Sequence, residues 1–232
     1  ADIVCLQEVL NDRENHQRFI HEFGKAINCP YTYFRNYYKT SKAKVDAIAV
    51  FSRYPIFKSG FLEYDEKTIA IFADLVIRED TVRLYNLHLA SIHFRQEDID
   101  FISELPETQE QDKIKTGTRN VLSKLMLAFI KRGEQADIIA RHIDNSPFPV
   151  IICGDFNDTP ASYAYQKISG DRNDVFVKKG TGFGVTYAGE IMPAFRIDYI
   201  FIDKKFLIKD FKIHDIVLSD HFPLSCRIAF DR

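Results

Sequence analysis

The sharpest cluster of chemically capable residues is Gly154-Asp155-Phe156-Asn157-Asp158-Thr159-Pro160. It follows the apolar run 150–153 and breaks at a glycine and a proline. Its polar groups therefore lie at the C-terminal end of a strand, where sheets commonly place functional side chains. Asp155 and Asn157 are two residues apart, and strand geometry would turn them to the same side. A carboxylate and an amide converging on one spot can hold a water, a metal ion or an anionic oxygen. The same residues also suit a plain turn with Asx caps.

Four further segments carry ionisable groups against an apolar background. Leu218-Ser219-Asp220-His221-Phe222-Pro223 precedes an apolar run, and the adjacent Asp220 and His221 point in different directions, so they do different jobs. In Arg196-Ile197-Asp198-Tyr199-Ile200 one acid interrupts an apolar strand. Burying a carboxylate alone is expensive, so Asp198 needs a partner. That partner is either Arg196 or another base in a structural ion pair, or a histidine that Asp198 orients. In Asn86-Leu87-His88-Leu89, Asn86 and His88 share one strand face, and His88 reads as a structural residue or a catalyst. Gln7-Glu8 closes the first apolar run, where a turn or surface role is the default.

The elements that must position these residues are short. Residues 3–6 read as a buried strand, followed by an amphipathic segment at 16–27. Strands are expected at 45–51, 69–77 and 82–89, the last two joined by the turn Arg78-Glu79-Asp80. Between Phe94 and Thr116 acids dominate, with Glu97, Asp98, Asp100, Glu104, Glu107, Glu110 and Asp112, as in a solvated loop or surface helix. Helical spacing joins Val121, Leu122, Leu125 and Phe129, then Ala136, Ile139, Ala140 and Ile143, with a break or kink expected at Gly133. Pro147 and Pro149 end the second piece and lead into a strand at 150–153. Strands follow at 197–202 and 224–229. This order suggests an α/β or α+β sandwich with sheet faces packed together.

Composition narrows the partners. The 232 residues are 46% hydrophobic and 28% charged, which excludes disordered and disulfide-dense classes. No apolar run approaches the roughly 20 residues needed to cross a bilayer, so no transmembrane segment is expected. With 31 Lys and Arg against 33 Asp and Glu, there is no global positive field to hold long duplex nucleic acid. Cys5, Cys29, Cys153 and Cys226 form no CxxC or zinc spacing. Cys5, Cys153 and Cys226 sit in apolar runs and read as small buried hydrophobes, and the cysteines lean toward a reducing, cytoplasmic setting. An upstream signal or membrane anchor is also compatible with a first residue, Ala1, that is not Met.

In combination the segments resemble the endonuclease/exonuclease/phosphatase superfamily of DNase I-like, metal-dependent phosphoesterases. The matching stretches, in order, are LQE at 6–8, AIAVFSRYPI at 47–56, NLHLAS at 86–91, GDFNDTP at 154–160, RIDYIF at 196–201 and SDHFPL at 219–224. The resemblance implies one domain over 1–232, a four-layer α/β sandwich of two packed mixed sheets flanked by helices. It implies that Glu8 is the principal metal carboxylate, with Asp220 a second ligand or phosphate-site acid. Asp155 would activate or orient the attacking water, Asn157 would hold a phosphate oxygen and His88 a non-bridging oxygen. His221 would serve as acid–base or transition-state donor, kept in its tautomer by Asp198.

Hard oxygen ligands such as Glu8 and Asp220 favour Mg²⁺ or Mn²⁺ over zinc. The expected activity is hydrolysis of phosphodiesters by in-line water attack, with a nuclease first and a monomer expected. The acidic stretch 97–112 follows the His88 strand and favours short or single-stranded nucleic acid over long duplex. A sphingomyelinase-like or phosphoinositide-phosphatase-like activity is the alternative, hinted at by Phe61, Leu62 and Tyr64. A binding module on the same fold would be marked by loss of metal or histidine residues, yet all of them are present. The superfamily also carries an Asn-bearing strand upstream of LQE; without it, an open sheet edge and reduced activity are expected.

Overall fold

The computed structural model describes residues 1–38, 43–92, 94–104, 111–189 and 195–231. In chain order its first half holds β1 (Ile3–Asp12), α1 (His16–Ala26), β2 (Tyr31–Asn36), β3 (Lys44–Ser52), β4 (Ile56–Tyr64), β5 (Lys67–Ile77) and β6 (Asp80–His88). Then come α2 (Gln96–Glu104), α3 (Gln111–Asp144), β7 (Val150–Asp155), α4 (Tyr163–Ser169), β8 (Asn173–Asp174) and α5 (Val175–Lys179). The chain closes with β9 (Asp198–Ile202), β10 (Phe206–Ile213) and β11 (Leu224–Phe230).

Among the described residues the strands form a six-stranded sheet, β4-β5-β6-β7-β9-β8, a three-stranded sheet, β1-β3-β2, and the pair β10-β11. Every pairing is antiparallel except β6–β7, which is parallel and needs a crossover; α2 and α3 provide it. Strands with both faces covered read as continuous apolar runs, and β3 and β7 show why. In β3, Ile48 and Val50 face the six-stranded sheet while Ala49 and Phe51 face α1. In β7, Ile151 faces the smaller sheet while Val150 and Ile152 face α3. The layers are thus α1, the smaller sheets, the six-stranded sheet, and α3 with α4. This is the four-layer mixed sandwich expected from the sequence.

Two features depart from the sequence reading. α3 runs unbroken through Gly133. A lone glycine costs about 1 kcal/mol relative to alanine, less than the roughly 1.5–3 kcal/mol returned by burying a side chain such as Ile139 or Ile143. β1 does not stop at Leu6 but continues to Asp12 through a bulge. The strands β2, β4 and β10 carry no alternation sharp enough to stand out; β4 and β10 are edge strands of half-exposed residues. In the acidic stretch, Glu107 and Glu110 lie outside the described residues. All four cysteines are free, with Cys29 buried and the other three half-buried.

Gly154 sets the spacing of the central strands. Its φ is +143°, and a Cβ there would lie 2.1 Å from the Leu87 carbonyl oxygen on β6. Gly154→Ala is expected to push β6 from β7 and to destabilise the fold by about 2 kcal/mol or more. Chemical denaturation reads this directly, and an unchanged midpoint would contradict the close approach.

Candidate active site

Three neighbouring strands deliver three functional groups in one row. His88 closes β6 and Asp155 closes β7, in direct register with each other. Asp155 is also in register with Asp198, the first residue of β9. Asp198 therefore begins its strand rather than interrupting it. Thr186 Oγ1 accepts the backbone N–H groups of Ile197 and Asp198 at 3.0 and 3.1 Å, which fixes the start of β9.

His221 meets this row from the loop before β11. Its Nδ1 lies 2.9 Å from Asp198 Oδ2, and its ring packs edge-on against Tyr187 at 5.2 Å. The partner of Asp198 is thus a histidine, while Arg196 pairs with buried Asp174 at 2.6 Å. Burial works against a charged His221. The hydrogen bond and charge of Asp198, with Asp155 and Asp220 adding, outweigh that and push its pKa up to about 9. Asp220 itself is exposed, and its backbone carbonyl accepts from Ala188 N at 2.8 Å.

Glu8 reaches the row through the bulge in β1. Leu6 pairs with Ala49 and Val9 with Ala47, so Gln7 and Glu8 together oppose Ile48. Strict alternation would turn Glu8 to the α1 side with Val4 and Leu6. The extra residue, with Glu8 at φ +53°, returns Val9 to that side instead and frees Glu8 to point toward the six-stranded sheet. Glu8 Oε1 lies 3.6 Å from His88 Nε2, and its backbone N–H donates to Tyr37 Oη at 3.0 Å. Gln7 donates to Asn86 Oδ1 at 2.5 Å. Asn86 in turn donates to the carbonyls of Leu6 and Ala49 at 3.1 and 2.9 Å, stitching the two sheets together beside the site.

His88 is buried and neutral. Burial, with the charges of Lys67 and His221, lowers its pKa to about 3. Its Nε2 stands 3.6 Å from both Glu8 Oε1 and Asp155 Oδ2, while Nδ1 is buried without a partner. The carboxylate oxygens around Nε2 favour the tautomer with the proton there, a neutral donor facing the site. Burial and the neighbouring charge of Asp198 raise the pKa of Asp155. Asp155 Oδ1 accepts from Asn157 N at 2.7 Å and Oδ2 from Asn157 Nδ2 at 2.8 Å. Asn157 sits at φ +50°, so a left-handed turn rather than strand alternation brings the two together. Its second amide hydrogen goes to the Leu89 carbonyl at 3.1 Å. Reaching a phosphate oxygen would require Asn157 to give up one of these bonds.

Among the described residues, one group of three potential metal ligands has atoms within 4.8 Å of one another: Asp155, Asp198 and His221. It includes neither Glu8 nor Asp220. Asp198 and His221 already hold each other as a hydrogen-bonded pair, with Asp155 beside them. Glu8 and Asp155, each with an oxygen 3.6 Å from His88 Nε2, nevertheless supply hard oxygen donors of the kind that suit a divalent cation.

Several contributors escaped the sequence reading. Tyr37 supports Glu8 and packs edge-on against His88 at 5.0 Å. Lys67 lies 5.2 Å over the Tyr37 ring; burial lowers its pKa against the pull of Glu8 and Asp155. Arg132, almost fully buried on α3, donates to Asp158 at 2.8 Å and to the Ala90 carbonyl at 2.9 Å, tying the segments after β6 and β7 together. A buried arginine in the apolar phase of a helix is the one signal that could have pointed to it. Of the residues that hinted at lipid capture, Phe61 is exposed while Leu62 and Tyr64 are partly buried. Leu62 and Tyr64 pack on the core, and Arg35 covers the Phe61 ring at 3.8 Å.

The family model described as Endonuclease/Exonuclease/phosphatase family matches residues 1–221. A search of curated proteins finds no match. Solved structures share the fold. The 3′ phosphatase NExo from Neisseria bound to a product DNA hairpin aligns with TM-score 0.61 at 16% identity, covering 100% of this chain and 89% of its own. The human Nocturnin catalytic domain with bound sulfate aligns at 0.63 and 18%, covering 99% and 81%. A Bacteroides thetaiotaomicron mannosyl-6-phosphatase aligns at 0.57 and 16%, covering 99% and 85%.

Proposed function

The chain belongs to the endonuclease/exonuclease/phosphatase family, and from that premise we propose that it cleaves phosphodiester bonds by in-line attack of water, with Mg²⁺ or Mn²⁺, as a nuclease of short or single-stranded nucleic acid. The observation that carries this reading is the row His88–Asp155–Asp198 with His221 hydrogen-bonded to Asp198 at 2.9 Å. Such a row offers one buried carboxyl to a water and two imidazoles to phosphoryl oxygens.

Glu8 would hold the cation, with Asp220 as the second carboxylate. When bound, the cation neutralises charge on the phosphoryl oxygens. Asp155, held through both oxygens by Asn157, orients the water and takes its proton. Neutral His88 donates from Nε2 to a non-bridging oxygen. His221, positively charged at neutral pH, donates from Nε2 to the oxygen that gains charge or leaves, because Nδ1–H is committed to Asp198. The choice of nucleic acid as substrate draws on NExo, a 3′ phosphatase among the structural neighbours that holds a product DNA hairpin. Preference for short or single strands draws on the near-zero charge balance.

A panel of single-stranded DNA, duplex DNA, RNA, sphingomyelin and inositol phosphates tests the reading. Hydrolysis should vanish with EDTA and return with Mg²⁺ or Mn²⁺, with single-stranded DNA cut faster than duplex. If none of these esters were hydrolysed, a binding module on this fold would be the better description.

A further inference from the structure

The six-stranded sheet carries one more charged side chain to the edge where the site lies. Lys67 opens β5, opposite Tyr64 on β4, and β5 runs antiparallel to β6 with Ala70 opposite Leu87. The start of β5 therefore lies beside the end of β6, where His88 stands. The backbone there is held by a bridge between Lys67 and Tyr38, and the Thr68 N–H donates to the Tyr37 carbonyl at 2.9 Å. Lys67 thus extends the row by one strand, on the side of His88 away from Asp155.

Its ammonium is held there without being neutralised. Lys67 Nζ lies 5.2 Å from the centroid of the Tyr37 ring and 5.7 Å from that of Tyr38. Tyr37 is the residue whose hydroxyl takes the Glu8 N–H at 3.0 Å and whose ring packs on His88 at 5.0 Å. One aromatic ring therefore separates the ammonium from His88 and from the backbone of Glu8. Ring faces attract a cation, but they give its three N–H donors no carboxylate acceptor. Withdrawing an ammonium from water is costly unless it is paired, yet half-buried Lys67 makes no ion pair among the described residues. Glu8 and Asp155, whose charges act on it, make their close contacts with His88 instead, each at 3.6 Å. Exposed Lys131 of α3 adds a like charge that opposes the ammonium. The row therefore has two positive ends, His221 held by Asp198 at one and Lys67 at the other. A cleft lined in this way gathers anions.

We propose that Lys67 binds a phosphoryl oxygen of the substrate at the β5 end of the row, opposite His221. Lysine takes phosphate as a point charge with rotatable donors, and its flexible stem lets Nζ leave the tyrosine faces for the oxygen. The proposal rests on the hydrolysis proposed above and adds a contact from β5, a strand that supplies none of the groups named there. Lys67 meets charge that the ester already carries before it reacts. Its loss therefore falls on KM and on the affinity for phosphate more than on kcat.

Lys67→Met keeps the stem and removes the charge. It should raise KM for a phosphodiester, and the inorganic phosphate needed for half-inhibition, by about 10- to 100-fold, the range of a hydrogen bond to a charged group. Lys67→Arg should restore most of both. Without any ester present, inorganic phosphate should raise the melting temperature of the unaltered protein, at concentrations about 10- to 100-fold lower than Lys67→Met requires. Lys67→Gln serves the same comparisons if the methionine variant does not fold. If no ester is hydrolysed, the proposed function fails and the melting shift alone decides the role of Lys67. Unchanged KM and phosphate affinity in the variants would overturn the proposal. So would a displaced acid limb of the pH–rate profile at unchanged KM, since Lys67 would then act only on the charge of His88.

Discussion

His221→Ala is expected to lower metal-dependent phosphodiester hydrolysis by about 10²- to 10⁴-fold, the range of a lost acid–base group. The size of the effect follows from geometry. Asp198 accepts the Nδ1 proton at 2.9 Å, and Asp155 and Asp220 add negative charge, so the ring is an oriented cation at neutral pH. Its pKa of about 9 lies above the ordinary value of 6.5, which sets the sign of two pH effects. Stabilisation linked to the bound proton is fully present below about 6.5 and is lost as pH rises through about 9. Activity that uses the protonated ring should fall across the same upper limb. Asp198→Asn removes the main charge that raises the pKa, so this limb should move toward lower pH while some activity remains. A pH–rate profile flat through 9 in the unaltered protein, or an unaltered rate in His221→Ala, would count against this role.

The second large effect is expected at Glu8. Glu8→Gln keeps the shape of the side chain and removes its charge, so hydrolysis should fall at least about 10²-fold while the Mg²⁺ concentration for half-activation rises. Stability should not change, because the Glu8 side chain is 71% exposed and its structural bond to Tyr37 is made by the backbone N–H. Melting temperature and metal titration therefore separate a ligand role from a structural one. Wild-type rate and metal demand in Glu8→Gln would move the cation site elsewhere, with Asp155, Asp198 and His221 the nearest candidates.

Much of the site was visible as local chemistry. An acid following an apolar run, as at Asp155, and a histidine sharing a strand face with a buried amide, as at His88, can be read from period-two alternation. Continuous apolar runs located the central strands, since both faces of β3, β6 and β7 are covered. Asp198 was ambiguous because its partner lies 23 residues away, at His221. Tyr37 and Lys67 left no trace, since an aromatic and a lysine near strand ends have many ordinary explanations. Helical spacing shows that Leu122 and Phe129 share a helix side but not whether anything lies against it, and both are exposed.

The sequence by itself determined the layered α/β class, the identities of the ionisable groups and their places at strand ends, because burial demands apolar alternation and polar interruptions stand out against it. The tertiary structure decided which groups meet. Register placed His88, Asp155 and Asp198 side by side, a bulge in β1 turned Glu8 toward them, and a loop brought His221 to Asp198. Each of these depends on pairing between segments far apart in the chain, and one residue of slippage or insertion reverses the direction of a side chain.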